Sequence, residues 1–153
     1  MPTETTRLRE LTIRYTLRRD ADGQPIQAHR VVHTPRESAN VLMTLIAHEP
    51  SEVFGVLCLS SRHHVIAYHE VGRGTIDAVT VHPREVFRAA LLTNAAALIL
   101  AHVHPSGDPS PSADDFALTA RLTDAGRLLG IDILDHIVIG DGRYVSFREI
   151  GRL

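Results

Sequence analysis

Two histidines, His102 and His104, stand two residues apart at the end of the apolar run Ala96-Ala97-Leu98-Ile99-Leu100-Ala101. In a strand, residues i and i+2 point to one face, so both imidazoles aim into a single space. A loop rich in Pro and Gly follows, Pro105 to Pro111, and Ser112-Ala113-Asp114-Asp115 then reads as the start of a helix. Asp115 falls in its first turn and can be turned back to the same space. Two His and one Asp make a three-donor N/O set, which suits a zinc ion that keeps its fourth position open for water. Ten His in this chain give about 0.65 His-x-His pairs by chance, so the pair alone carries little. The specific signal is the pair together with Pro105, Ser112 and Asp115 at their spacings.

That pattern, His102-x-His104-Pro105 followed by Ser112-x-x-Asp115, resembles the JAMM motif of the JAB/MPN metallopeptidases. The wording His104-Pro105-Ser106-Gly107-Asp108 with Pro111-Ser112 is similar to the bacterial RadC branch of that family. Gly74-Thr75, Val81-His82-Pro83-Arg84-Glu85, Asn94-Ala95-Ala96, Leu134-Asp135-His136 and Tyr144-Val145-Ser146-Phe147 extend the likeness from about Thr34 to the C-terminus. One departure is Val103, where RadC relatives read Asn. Its side chain should face away from the metal, so ligation should survive while a polar contact is lost.

The resemblance implies a chemistry and two more site residues. Zinc held by His102, His104 and Asp115 lowers the pKa of its water toward neutrality. A carboxylate beside the metal, not bound to it, must then take up the proton and pass it to the leaving amine. The resemblance puts that carboxylate at Glu52; read without it, Glu52 is a surface residue after Pro50. Ser112 serves as a helix N-cap by position alone, and the resemblance adds a hydroxyl that stabilises the oxyanion. His136 reads as a packed or supporting residue and His82 as a cap for the next helix. His29, His33, His48, His63, His64 and His69 read as structural or exposed. Asp108 and Asp114 are loop and cap residues that compete with Asp115 only in principle.

The elements that must position these groups are readable. Thr34-Pro35-Arg36-Glu37 is a helix start with a capping box, and Val41, Leu42, Leu45 and Ile46 form its buried stripe before Pro50. Val53 to Leu59 is apolar throughout, as in a strand covered on both faces, and Val65 to Val71 is its neighbour across Ser60-Ser61-Arg62-His63. Pro83 opens a second helix to about Thr93, with Val86, Ala89, Ala90 and Leu91 or Leu92 inward. It leads into the strand ending at His102. Ser112 caps a third helix, with Leu118, Leu122, Ala125 and Leu129 inward and Gly130 as its stop. Ile131 to Ile139 and Tyr144 to Phe147 are strands joined by Gly140-Asp141-Gly142. Strands alternating with helices predict an α/β domain with a mixed sheet flanked by helices. The resemblance implies the three-layer, cytidine-deaminase-like architecture of JAB/MPN domains over residues 34–153.

Residues 1–33 read as an N-terminal hairpin extension. Leu11, Ile13, Tyr15 and Leu17 alternate with polar residues as in a half-buried strand, Asp20-Ala21-Asp22-Gly23 is a turn, and Ile26 to Val32 returns. Full-length RadC relatives carry a helix-hairpin-helix segment upstream, for which this extension has no room. Arg7, Arg9, Arg14, Arg18 and Arg19 make it locally basic, yet the formal net charge of the chain is −2, which weighs against strong nonspecific nucleic-acid binding. All basic residues are Arg, so no Lys-based catalysis operates. The single cysteine, Cys58, lies in a core strand, forms no internal disulfide and fits a cytoplasmic protein. No stretch suits a membrane span or signal peptide.

Two functions follow: a zinc-dependent hydrolase of an amide or isopeptide bond in a peptide or protein, or a metal-binding RadC-like protein of DNA repair or mobile elements without turnover. A zinc nucleobase deaminase requires a Cys pair that one cysteine cannot supply, and no His-Glu-x-x-His helix is present. The loop Pro105 to Pro111 is expected to be a stiff rim beside the metal.

Overall fold

The structure is a computed structural model that describes residues 7–28, 30–75 and 80–153; His29 lies outside the described residues. In chain order the elements are α1 (Pro35–Ile46), β1 (Val53–Leu59), β2 (Val65–Arg73), α2 (Pro83–Leu92), β3 (Ala97–Val103), α3 (Ala113–Leu129), β4 (Asp132–Gly140) and β5 (Arg143–Ser146). They form one five-stranded sheet in the order β2-β1-β3-β4-β5, antiparallel except for the parallel β3–β4 pair. This is the mixed α/β arrangement that the alternation of elements predicts.

Alternation along β1 and β3 explains the layers. Every residue of both strands is buried. Val53, Leu57, Leu59, Ala97, Ile99, Ala101 and Val103 join one apolar cluster with Val41, Leu42 and Ile46 of α1. Phe54, Val56, Cys58, Leu98 and Leu100 join a second cluster with Val86 and Phe87 of α2 and Leu118 and Leu122 of α3. One helix therefore covers one face and two cover the other. Each fully buried Leu or Phe contributes about 1.5–3 kcal/mol by leaving water.

The β1–β3 register pairs Val53 with Val103 and Phe54 with His102. His102 thus shares the α2/α3 face with Phe54, and Val103 turns to the α1 face. One residue beyond the paired ends, Glu52 and His104 emerge side by side. The ladder carries on past β3, since the His104 N–H donates to Ile139 O at 2.8 Å.

Local signals set the helix ends. Thr34 Oγ1 accepts from the Glu37 N–H at 3.2 Å while Glu37 Oε2 accepts from the Thr34 N–H at 3.0 Å, closing the predicted capping box. Gly130 ends α3 at φ 70°, a left-handed conformation that favours glycine. Some expectations differ from the structure. α1 stops at Ile46, before Pro50 is reached. His82 precedes Pro83 but makes no side-chain cap. Leu91 and Leu129 are exposed: Phe87 fills the inward position on α2, and Gly126 takes the inward place on α3, one turn beyond Leu122, where its Cα packs against the Ile131 carbonyl.

The half-buried strand expected over Leu11–Leu17 is not formed. Leu11 and Leu17 are 77% and 70% exposed. Among the described residues the extension pairs only through isolated bridges, Arg19 with Pro25 and Val31 with His64. The expected turn at Asp20–Gly23 is present. Alternation makes an amphipathic face, but a strand also needs a ladder partner, and here the contacts to the domain come from the side chain of the residue after the segment. Arg18 donates to Leu45 O at 3.4 Å and its guanidinium lies 5.9 Å from the Tyr68 ring centre.

Gly140 connects the sheet to the loop after His104. A Cβ there would lie 2.7 Å from Gly107 O and 2.9 Å from Pro109 N, both backbone atoms that cannot swing aside. Gly140→Ala is expected to destabilise the protein by about 1–3 kcal/mol through overpacking, read as a lower urea midpoint at unchanged slope. An unchanged midpoint would mean that the loop is not seated on this turn.

Candidate metal centre

Four of the five predicted site residues converge, each delivered by a different structural cause. β3 presents His102, and the chain leaving it presents His104; their rings meet edge to face with centres 4.6 Å apart. The residue before β1 is Glu52, with Oε1 3.7 Å from His102 Nε2. The first turn of α3 brings Asp115, with Oδ1 3.0 Å from His102 Nδ1 and Oδ2 3.4 Å from His104 Nε2. Ser112 stands at the edge as the α3 N-cap, its Oγ accepting from the Asp115 N–H at 3.1 Å; in return Asp115 Oδ2 accepts from the Ser112 N–H at 2.8 Å. The capping box therefore doubles as a brace for the Asp115 carboxylate.

Hydrogen bonds fix which ring nitrogens are free. His104 Nδ1 lies 2.9 Å from Asp108 O; a carbonyl only accepts, so Nδ1 carries the hydrogen and Nε2 presents its lone pair. Asp115 Oδ1 acts likewise on His102 Nδ1. His102 Nε2 is then a lone pair that is buried without a hydrogen-bond partner among the described residues. A metal ligand held by a carboxylate or carbonyl on its other nitrogen has this form. Glu52, His102 and His104 each offer a ligand atom, all within 4.8 Å of one another, and are placed to hold a metal ion. The bare, buried Nε2 is the feature that fits such an ion.

The electrostatics follow from these contacts. Asp115 is buried, which alone raises its pKa; the His102 Nδ1–H, the neighbouring His104 ring, which donates when protonated, and the Ser112 N–H outweigh burial and hold the carboxyl well below its usual range. Protonation lets His104 Nε2 donate to Asp115, which raises the His104 pKa against the opposing effect of burial, with help from the Asp108 carbonyl. His136 is fully buried and is pushed down to about 3, first by desolvation and then by the nearby His102.

Other predicted residues fall outside the cluster. Asp108 contributes its carbonyl to His104, while its carboxylate accepts from the Ser110 N–H at 3.0 Å; Asp114 is exposed. His33, His48 and His69 are exposed and His63 and His64 half-buried. Val103 is buried on the opposite face, as expected. The loop after His104 is braced as a rim: the Gly107 N–H donates to His104 O at 3.0 Å and Arg143 donates to Gly107 O at 3.1 Å. Sequence reading missed Thr119, whose hydroxyl lies between Asp115 O and His136 Nδ1. Its spacing of one helical turn from Asp115 was the available signal.

The family model of the RadC-like JAB domain matches residues 32–152. Among curated relatives, a UPF0758 protein of Desulfitobacterium hafniense is 41% identical over 136 residues, covering 89% of this chain and 60% of its own length. One from Halorhodospira halophila is 48% identical over 131 residues, covering 86% and 58%. Another, from Alkaliphilus metalliredigens, is 46% identical over 121 residues, covering 79% and 52%. The chain thus spans just over half the length of these relatives.

In metal-free protein the two histidines should titrate apart. His104 gains protons above its ordinary value of 6.5, so its contribution to stability is full below 6.5 and is lost as pH rises through the raised value. His136 behaves oppositely: its contribution is full above 6.5 and is lost as pH falls from there toward about 3. NMR titration of the ring protons checks both. A His136 midpoint near 6.5, or a His104 midpoint below that value, contradicts the geometry.

Proposed function

The chain belongs to the RadC-like JAB domain family, and from that premise we propose that it is a zinc-dependent hydrolase of an amide or isopeptide bond in a peptide or protein. One observation carries the reading: the buried lone pair of His102 Nε2, without a hydrogen-bond partner among the described residues, beside donor atoms of His104 and Glu52. In this reading His102 and His104 hold the metal together with Asp115, through the Oδ2 that faces His104 Nε2, and Glu52, the third donor beside the two histidines, is left for proton transfer. When bound, zinc supplies a Lewis acid that lowers the pKa of water toward neutrality and polarises a carbonyl.

The protein's own groups divide the remaining work by their surroundings. Asp115 is buried, charged and braced by the α3 N-terminus, which suits a fixed ligand. Glu52 has a side chain 34% exposed and stands at the mouth of the site, which suits a group that accepts a proton from water and returns it to the leaving nitrogen. The net reaction adds water across the C–N bond, giving a carboxylate and an amine. Ser112 is exposed at the rim, with its hydroxyl oriented by the Asp115 N–H, and serves as a donor to the developing oxyanion. The braced loop favours an extended peptide docked by main-chain hydrogen bonds along a neighbouring strand edge.

Protein purified without added metal or chelator should carry about one zinc per chain, by elemental analysis, and lose it in His104→Ala and Asp115→Asn. Glu52→Ala should keep the zinc and lose hydrolysis by at least ~100-fold. Loss of zinc in Glu52→Ala would instead make Glu52 a ligand.

The rival reading, a nucleic-acid-associated protein without turnover, draws on the arginines of the N-terminal extension. Peptide libraries and single- and double-stranded DNA, tested at physiological salt, separate the two. Peptide binding with weak DNA binding is expected. Tight, salt-sensitive DNA binding that vanishes when Arg14 and Arg18 are replaced, with no peptide recognised, would favour the rival.

A further inference from the structure

We propose that His136 is a positioning residue: by donating its Nδ1–H to Thr119, it fixes the start of α3 against β4 and so holds Asp115 and Ser112 over the two histidines. The inference rests on the metal reading above and assigns a task to a buried residue that the reading leaves unused.

The hydrogen-bond inventory sets the direction of the contact. Thr119 Oγ1 lies 2.7 Å from Asp115 O and 2.6 Å from His136 Nδ1. A hydroxyl has one hydrogen, and a carbonyl has none. That hydrogen must go to Asp115 O, since two oxygens at that distance with no hydrogen between them repel. The hydrogen between Thr119 and His136 therefore comes from the ring. His136 Nε2 is left as a lone pair, and this atom is buried without a partner among the described residues. The other tautomer would bury an unpaired N–H instead and leave the Thr119 contact short of a proton. A buried polar atom without a partner is costly, so a residue kept in this state is explained by what its other nitrogen does.

The ring is held for that one bond. Phe147 stacks on it with centres 4.5 Å apart, and Phe54 meets its edge at 5.7 Å. Its backbone is pinned by Asp135, which accepts the His136 N–H at 2.7 Å, the Arg148 N–H at 3.0 Å and the Ser146 hydroxyl at 2.6 Å. His136 and His102 are stacked with centres 6.4 Å apart, too far for direct support. The route runs from His136 through the Thr119 hydroxyl to the Asp115 carbonyl, and Asp115 is the residue whose carboxylate meets both site histidines. Without the donor, α3 keeps its apolar contacts but loses this polar link to β4.

Zinc affinity of the full chain, measured by competition with a chromophoric chelator, tests this beside urea stability. Asn carries an N–H at the place of Nδ1, Gln carries one at the place of Nε2, and Phe keeps the ring with no donor. His136→Asn should bind zinc within about threefold of wild type, and His136→Phe, His136→Gln and Thr119→Val about 10- to 100-fold more weakly, the range typical of groups supporting metal ligands. A merely structural role would lower stability in all of them without the rescue by Asn. Wild-type affinity in folded His136→Phe or Thr119→Val overturns the proposal, and so does a loss in His136→Asn equal to that in His136→Phe. Wild-type protein that takes up no zinc overturns the metal reading, and this inference with it.

Discussion

The Asp115 carboxylate is the constraint on which the site depends. It joins a helix to a strand at the point where both must deliver chemistry, with Oδ1 on His102 Nδ1 and Oδ2 facing His104 Nε2. A buried carboxylate in this place is tolerable only because its negative charge is met on several sides. The imidazoles, the Ser112 N–H and the helix N-terminus all contribute. The same contacts that make Asp115 a stable anion leave Nε2 lone pairs on both histidines, that of His104 facing Asp115 itself. Those lone pairs and that charge make a coherent arrangement once a cation lies among them, whether proton or metal.

The sheet supplies the other half of the geometry. A one-residue slip between β1 and β3 would move His102 to the α1 face and separate Glu52 from His104. The register is held by complete burial of both strands, so the core that stabilises the domain also aligns the donors. The parallel β3–β4 pair sends the chain through α3, and the N-terminus of that crossover helix arrives above the end of β3. The rim loop is held between His104 and the β4–β5 turn by backbone contacts that leave no room for a side chain at Gly140.

Much of this was legible in the sequence because it was written in period and spacing. The apolar runs of β1 and β3, the capping residues Thr34 and Ser112, and the His102, His104 and Asp115 spacing all survive as structure. Glu52 was not legible from local pattern, because its meaning comes from a cross-strand register; only the family resemblance pointed to it. The extension at Leu11–Leu17 misled for a related reason. Its alternation resembles a strand, but pairing is a property of two segments, and no partner for it exists among the described residues. The Thr119–His136 link lay hidden because it joins a helix face to a strand seventeen residues away, and neither residue type signals it alone.

On the proposed reading, one metal ion is held among His102, His104 and Asp115. The most direct measurement is an anomalous scattering map from crystals of protein purified without added metal, collected on both sides of the zinc absorption edge. One peak per chain is expected, bounded by those three residues, that disappears below the edge. A map with no peak there, or a peak held by other side chains, would contradict it.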